Sequence, residues 1–291
     1  MTTGMTDASD WPFANPVLTA SGCGGTGRDL AAYGDLAALG GFVTRSVTRL
    51  ARPGSQPPRL VESPSGLVNA IGLQNPGAEA FLQDELAPLV ETGAVVVVSI
   101  AGHSLGEYAE LARTVGRAAG VTAVEVNLSA PDPVGSGLFD VREPFQAAGV
   151  VGSCRRDLRA GVVLLAKIRS DVSRASETAR AVLDAGADAV VVGNALPAAM
   201  PDGRAGGLSG PAIRPQTLRC VAEVVRALPG ATVVGCGGIM DAADARAYLD
   251  AGARAVQIGT ALFHDPTTAF RIARELAPGI AATGPATGED A

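Results

Sequence analysis

A closed (β/α)₈ barrel is the fold this sequence predicts, and three observations carry it. The chain has 291 residues, more than the roughly 100–200 of an average domain but within reach of α/β barrels, which run to about 250 residues as one unit. Short runs rich in Val, Ile and Ala recur along it, as expected of parallel strands buried on both faces. Longer segments with helical spacing of apolar residues separate them, so strand and helix alternate eight times. One domain over residues 1–291 is expected, with flexible ends at about 1–10 and 280–291.

The strands are expected at residues 16–21, 41–47, 95–100, 123–128, 162–168, 187–194, 232–236 and 255–259. Helices are expected at 30–39, 78–90, 105–118, 144–159, 173–185, 215–227 and 242–251, with a last one near Pro266. Several of these segments end in a glycine stop, as at Gly186 and Gly252, where glycine can take the left-handed conformation before the next strand. A doubly wound open sheet is the alternative architecture, but no Gly-x-Gly-x-x-Gly turn follows the first strand. Two longer connections, 49–77 and 131–143, break the rhythm; both follow strand C-termini, where barrel enzymes build their sites.

Composition excludes several classes. With 23 basic against 29 acidic residues and no basic cluster, the chain has no footprint for nucleic acid. Its longest apolar runs, such as 94–101, are about half of the roughly 20 residues a membrane span needs, and the N-terminus has no signal-peptide pattern, so a cytoplasmic protein is expected. Cys23, Cys154, Cys220 and Cys236 form no Cys-x-x-Cys pair and only His103 and His264 are available, so neither a metal site nor a disulfide framework is expected. Redox chemistry would need an organic cofactor.

The strand ends suggest which one. Gly237, Gly238 and Ile239 follow the seventh strand, and Gly259 and Thr260 the eighth. In a barrel these neighbouring turns can aim backbone N–H groups at a phosphate, although each alone reads equally as an ordinary turn. Lys167 lies near the end of the apolar fifth strand, an expensive place for an ammonium unless an anionic partner awaits it. A flavin N1/O2 edge would serve, since negative charge develops there on reduction; a lysine reaching out at the barrel rim is the alternative. Ser21, Arg45, Ser46, Asn127, Ser129 and Asn194 also fall at strand ends, offering donors and acceptors to a heterocycle. Cys23 could approach the same site or be a packing residue, and His103 could line it or cap the next helix.

The chain resembles class 1 dihydroorotate dehydrogenases from Asn15 to about Pro266. The carrying segments are Asn15-Pro16-Val17-Leu18-Thr19-Ala20-Ser21-Gly22, Asn69-Ala70-Ile71-Gly72-Leu73-Gln74-Asn75-Pro76-Gly77, Gly206-Gly207-Leu208-Ser209-Gly210-Pro211-Ala212, Gly237-Gly238-Ile239 and Val256-Gln257-Ile258-Gly259-Thr260, with Arg52-Pro53 and Pro57-Pro58-Arg59 between. The Ile-Gly-Leu-Gln-Asn-Pro-Gly form looks like the 1B subtype, whose members use NAD through a partner subunit carrying FAD and an iron–sulfur cluster. The resemblance implies FMN as cofactor, held by Ala20, Ser21, Gly22, Ser46, Asn69, Asn127, Lys167, Ser209, Gly210, Gly237, Gly238, Gly259 and Thr260. It implies substrate contacts from Asn69, Gly72, Leu73, Asn127, Asp132 and Asn194, a place in pyrimidine biosynthesis, a homodimer, and an electron-transfer subunit or soluble acceptor.

Four departures bear on catalysis. The family motif Asn-x-Ser-Cys-Pro-Asn, whose Cys takes the C5 proton as hydride passes to flavin N5, reads here Asn127-Leu128-Ser129-Ala130-Pro131-Asp132. Alanine cannot accept a proton, and an ionised Asp132 accepts hydrogen bonds without donating any. Arg45 replaces the family's lysine on the second strand, and Ala195 stands beside Asn194 where Ser or Thr is usual. The expectation is therefore an FMN oxidoreductase acting on dihydroorotate or a related small cyclic acid, with Lys167 and Arg45 in the catalytic group and Asp132 or Ser129 as substitute base. A flavin enzyme repurposed for another substrate is the alternative; a non-catalytic flavin-binding protein is a third reading.

Overall fold

In a computed structural model of the chain, residues 11–130, 137–139 and 141–277 are described. Twelve strands occur among them: β1 (Val17–Thr19), β2 (Phe42–Val43), β3 (Leu60–Ser63), β4 (Gly66–Asn69), β5 (Val96–Ile100), β6 (Val121–Asn127), β7 (Val163–Ile168), β8 (Ala189–Val192), β9 (Leu196–Ala199), β10 (Ala205–Ser209), β11 (Val233–Cys236) and β12 (Ala255–Ile258). Eight of them pair in parallel in the order β2-β5-β6-β7-β8-β11-β12-β1. The ring closes through a parallel bridge between Leu18 and Gly41, where the Thr19 N–H donates to the Gly41 carbonyl at 3.1 Å. All eight expected strands are present, within a few residues of their expected bounds.

Each barrel strand buries both faces. Leu18, Val43, Val97, Ala123, Leu165, Val191, Val234 and Ala255 fill the interior, with Phe13 and Trp11 packed at its lower end; their rings meet edge to face at 4.7 Å. The alternate residues, such as Val96, Val124, Leu164, Val190 and Val256, face the helices. A strand sandwiched in this way has no polar face, which is why it reads as a continuous apolar run. The helices follow the expected spans, with two exceptions. The expected helix 30–39 is broken into Arg28–Ala31 and a 3₁₀ turn at Leu36–Ala38, because Gly34 lies so close to the Phe270 ring that a side chain would not fit, and the Asp35 carboxylate caps a new turn by accepting from the Ala37 N–H. The helix over 78–90 contains a π-turn at Phe81–Glu85 just before Pro88, which lacks the N–H that would bond back to the preceding turn.

Two long connections were expected, and a third appears. The stretch after β8 builds a hairpin, β9 and β10, that joins β3 and β4 from the first long connection in an antiparallel sheet of order β3-β4-β10-β9. Arg204 ties the two excursions together by donating to the Gln56 and Pro58 carbonyls at 2.8 Å each. This small sheet stands beside the C-terminal ends of the barrel strands and forms one wall of the cavity described next. The ends expected to be flexible, and most of the 131–143 connection with Asp132, lie outside the described residues.

Candidate active site

A cavity of about 370 Å³ opens at the C-terminal ends of the barrel strands. Its wall collects the residues that follow successive strands: Ala20, Ser21 and Gly22 after β1, Arg45 and Ser46 after β2, Asn127 at the end of β6, Lys167 on β7, Asn194 after β8, Gly237 and Gly238 after β11, and Gly259 and Thr260 after β12. The small sheet adds Asn69, Ser209 and Gly210. Of the residues singled out in the sequence, the structure brings these together with Cys23, Leu73, Ala130, Ala195 and Ile239. Gly72 and Ser129 are not in the wall, and Asp132 lies outside the described residues.

Hydrogen bonds explain how the polar members are held. Asn127 Nδ2 donates to Ser46 Oγ at 3.0 Å, and Ser46 Oγ pairs with Ser99 Oγ at 2.9 Å. Asn127 Oδ1 accepts from the Ser129 N–H at 3.2 Å and from its hydroxyl at 3.3 Å. Ser129 in turn accepts from Asn194 Nδ2 at 2.7 Å, while Asn194 Oδ1 takes the Ala195 N–H. Ser129 is thus a fully buried link between two wall asparagines, and the expectation that it serves as a substitute base finds no support in its position.

The turns are placed by glycine. At Gly238 the backbone is left-handed (φ +67°), and a side chain there would collide with the Gly210 carbonyl, so the turns after β10 and β11 can meet only because it is absent. At Gly22 (φ +82°) a side chain would instead enter the open cavity. Leu73 also sits in the left-handed region (φ +52°), unusual for a bulky residue. It is held there by Asn75, whose Nδ2 donates to the Leu73 carbonyl at 2.8 Å and to Thr48 Oγ1 at 2.9 Å. Gly72 is turned away, its carbonyl accepting from Arg52 Nε.

The electrostatics favour an anion. Lys167 and Arg45 both reach the wall, and among its described residues there is no carboxylate. Burial opposes the charge on Lys167, the Glu125 carboxylate beside it favours that charge, and the amine titrates above its ordinary range. Burial pushes the Cys23 thiol up to about 12, against the pull of Lys167, and raises Cys236 for the same reason, so both thiols are neutral at ordinary pH. Ala130 clusters with Ala101 and Leu138, and Leu73 packs against them, while Arg169 Nη2 donates to the Ala130 carbonyl at 2.9 Å. No side chain in that cluster can take a proton. His103 lies outside the cavity wall, its ring against the Gly137 carbonyl and its backbone N–H donating to Glu107 Oε2.

Sequence reasoning missed part of the wall: Leu60, Ile71, Ile213, Met240 and Phe263 supply apolar surface at the mouth. It also missed the polar residues beneath Lys167. Gln257 Oε1 accepts from Lys167 Nζ at 2.7 Å, and Gln257 Nε2 donates to the fully buried Glu125 at 2.6 Å.

Fold and cavity together define a (β/α)₈-barrel enzyme with its site at the usual face. The family model for dihydroorotate dehydrogenase matches residues 5–279, and the chain belongs to that family, whose members are oxidoreductases acting on CH–CH bonds in pyrimidine biosynthesis. The catalytic subunit of dihydroorotate dehydrogenase B (NAD(+)) from Desulforudis audaxviator is 43% identical over 271 residues, 90% of this chain and 87% of that one. Its counterpart from Trichlorobacter lovleyi is 41% identical over 279 residues, covering 93% and 91%. The likeness to the 1B subtype is thereby borne out. Among solved structures, DHODH from Eimeria tenella in complex with ferulenol has a TM-score of 0.74 at 19% identity, covering 93% of this chain and 84% of that one, a likeness of fold. These likenesses do not favour a changed substrate or a non-catalytic role. Enzymes of the family are flavoproteins, generally FMN-dependent. Among the described residues no helix is long and apolar enough to cross a membrane, and no group of three or more His, Cys, Asp or Glu could hold a metal.

Proposed function

We propose that the chain is an FMN-dependent dehydrogenase that oxidises dihydroorotate or a related small cyclic acid. The observation that carries this is the cavity itself, whose wall combines glycine turns, two cationic side chains and two fixed asparagines, with no carboxylate among its described lining residues. The residues fit the cofactor. The turns at Gly237–Gly238 and Gly259–Thr260 would hold the phosphate, the open space at Gly22 admits the ligand close to the backbone, and Lys167 would face the polar edge of the ring. FMN, when bound, would supply the two-electron oxidant.

The chain's own residues do the rest. Asn127 and Asn194 are oriented through Ser129, which would fix the direction in which the second N–H of each amide meets a substrate. Arg45 brings a positive charge to the wall, where it suits a substrate carboxylate. Because Ala130 cannot accept the proton lost from the substrate, that role falls to Asp132 or to water, and a missing positioned base slows the step on the order of 10²- to 10⁴-fold. A partner subunit would pass the electrons on to NAD, in keeping with relatives named as the catalytic subunit of an NAD(+) enzyme.

Anaerobic stopped-flow mixing of the FMN-loaded protein with dihydroorotate tests the reading. Bleaching of the flavin absorbance band is expected; an unchanged band at millimolar substrate removes dihydroorotate as the substrate.

A further inference from the structure

Beneath the cavity Lys167 is tied into a charged network whose other members, Glu125 and Gln257, the proposed reaction does not use. Glu125 on β6 and Lys167 on β7 both point into the barrel, two residues apart in register, since Glu125 pairs with Leu165 and Asn127 with Lys167. Gln257 reaches them from β12, on the other side of the ring. Its amide can adopt only one orientation, because the oxygen faces an ammonium at 2.7 Å and the nitrogen a carboxylate at 2.6 Å. Glu125 Oε1 has no hydrogen-bond partner and stands 3.7 Å from Lys167 Nζ. A carboxylate so placed is an expensive feature for a barrel core that hydrophobic residues could fill.

Glu125 is fully buried and absent from the cavity wall, so it cannot touch substrate or cofactor. Whatever it does, it does through Lys167. We propose that Glu125, acting through Gln257, is a positioning residue that keeps the Lys167 ammonium charged and aimed into the cavity, and thereby sets the reduction potential of a flavin bound above it. The proposal rests on the FMN reading.

The other groups that face Lys167 cannot substitute for Glu125. Cys236 on β11 and Cys23 after β1 are kept neutral by burial, Gln257 on β12 and Asn127 on β6 carry no charge, and Glu125 is the only carboxylate facing it among the described residues. With Glu125 in place the lysine stays cationic across the working pH range, and its charge is partly offset by the carboxylate 3.7 Å away. Without the carboxylate, the isolated buried ammonium becomes easier to deprotonate. At acid pH it would then stabilise reduced flavin more strongly than in the parent; at alkaline pH, once neutral, less. The potential of the flavin would acquire a break with pH that the parent lacks.

The experiment is a redox titration of the holoenzyme against reference dyes from about pH 6 to pH 9, a range below the ordinary lysine pKa, for the parent, Glu125→Gln and Gln257→Met. Glu125→Gln is expected to show the break and, at its acid end, at least a tenfold change in the reduced-to-oxidised ratio at fixed potential, about 30 mV for a two-electron couple. Gln257→Met keeps both charges but removes the bridge, and should show the same break to a smaller extent. Potential–pH curves that superimpose on the parent's overturn the proposal. If Glu125→Gln does not fold, Gln257→Met decides alone by the same criterion. If the chain takes up no FMN, the proposed function fails, and ¹³C NMR titration of Lys167 in the flavin-free chain decides the lysine half: a lower lysine pKa in the variants supports it and an unchanged one overturns it.

Discussion

Asn194 donates through Nδ2 to the Ser129 hydroxyl at 2.7 Å, and that hydroxyl lies 3.3 Å from Asn127 Oδ1. One buried serine therefore orients two asparagines that reach the cavity from strands on opposite sides of β7. Ser129→Ala removes both side-chain bonds at once and leaves the backbone N–H bond to Asn127. A hydrogen bond of this type is worth about 1 kcal/mol net, more when a buried partner is left unpaired. The expected result is a 5- to 30-fold rise in KM, with FMN affinity changed less than twofold. Steady-state kinetics and a flavin-binding titration check it; FMN affinity falling as far as substrate affinity would show that Ser129 supports the whole mouth.

Lys167 and Glu125 depend on one another for stability as well. Removing one partner of a buried ion pair typically costs about 3–5 kcal/mol, because the other charge is left uncompensated, whereas replacing both can be neutral. Lys167→Met should therefore lower stability by an amount in that range, and Lys167→Met combined with Glu125→Gln should recover much of it. Urea unfolding of the flavin-free proteins measures both. Equal loss in the single and double variants would contradict the pairing.

Much of this arrangement was legible in the sequence, and the gaps have physical causes. The eight barrel strands were found because burial on both faces leaves them apolar, as at Val96–Ile100, where every residue is buried. The small sheet was not, because its strands are half exposed and rich in glycine, alanine and proline; Leu196–Ala199 contains Pro197 and alternates intermediate with exposed. Its register is set by contacts distant in sequence, such as Asn69 Nδ2 donating to the Gly207 carbonyl. In the site, Lys167 stood out as a charge on an apolar strand. Glu125 and Gln257 break the same pattern on their own strands, and the same cost argument would have found them. Ser129 was misleading for another reason: motif spacing does not reveal whether a residue past the strand end turns toward the cavity or behind it.

The buried thiols make stability fall at alkaline pH. Burial pushes Cys154 up to about 12 from an ordinary value of 9.0, with Asp157 adding to the shift. A raised folded-state pKa means that the unfolded thiol ionises first, so the stabilisation is complete below about pH 9 and is lost as the pH climbs toward 12. The slope is about 1.4 kcal/mol per pH unit for one such group. Thermal unfolding should show a decline above pH 9 that is shallower in Cys154→Ala, once its lower baseline is subtracted. The same slope in both proteins would mean that the thiol already ionises in the folded state.

Ala130 offers the sharpest test of the proposed reaction. It lines the cavity, and the described residues it clusters with, Ala101, Leu138 and Leu73, are apolar and cannot take a proton. Ala130→Cys introduces a small thiol at a wall position where the open cavity can accommodate it. If dihydroorotate is the substrate and proton removal limits the rate, flavin bleaching should accelerate on the order of 10²-fold or more and acquire a dependence on thiol ionisation. Asp132→Asn in the parent background is the companion experiment. A further loss of rate there, abolished when Cys stands at position 130, would identify Asp132 as the group that takes the proton in the natural protein. No change in either variant would mean that proton removal does not limit the rate, and that water near the Lys167 and Asn127 wall is sufficient for it.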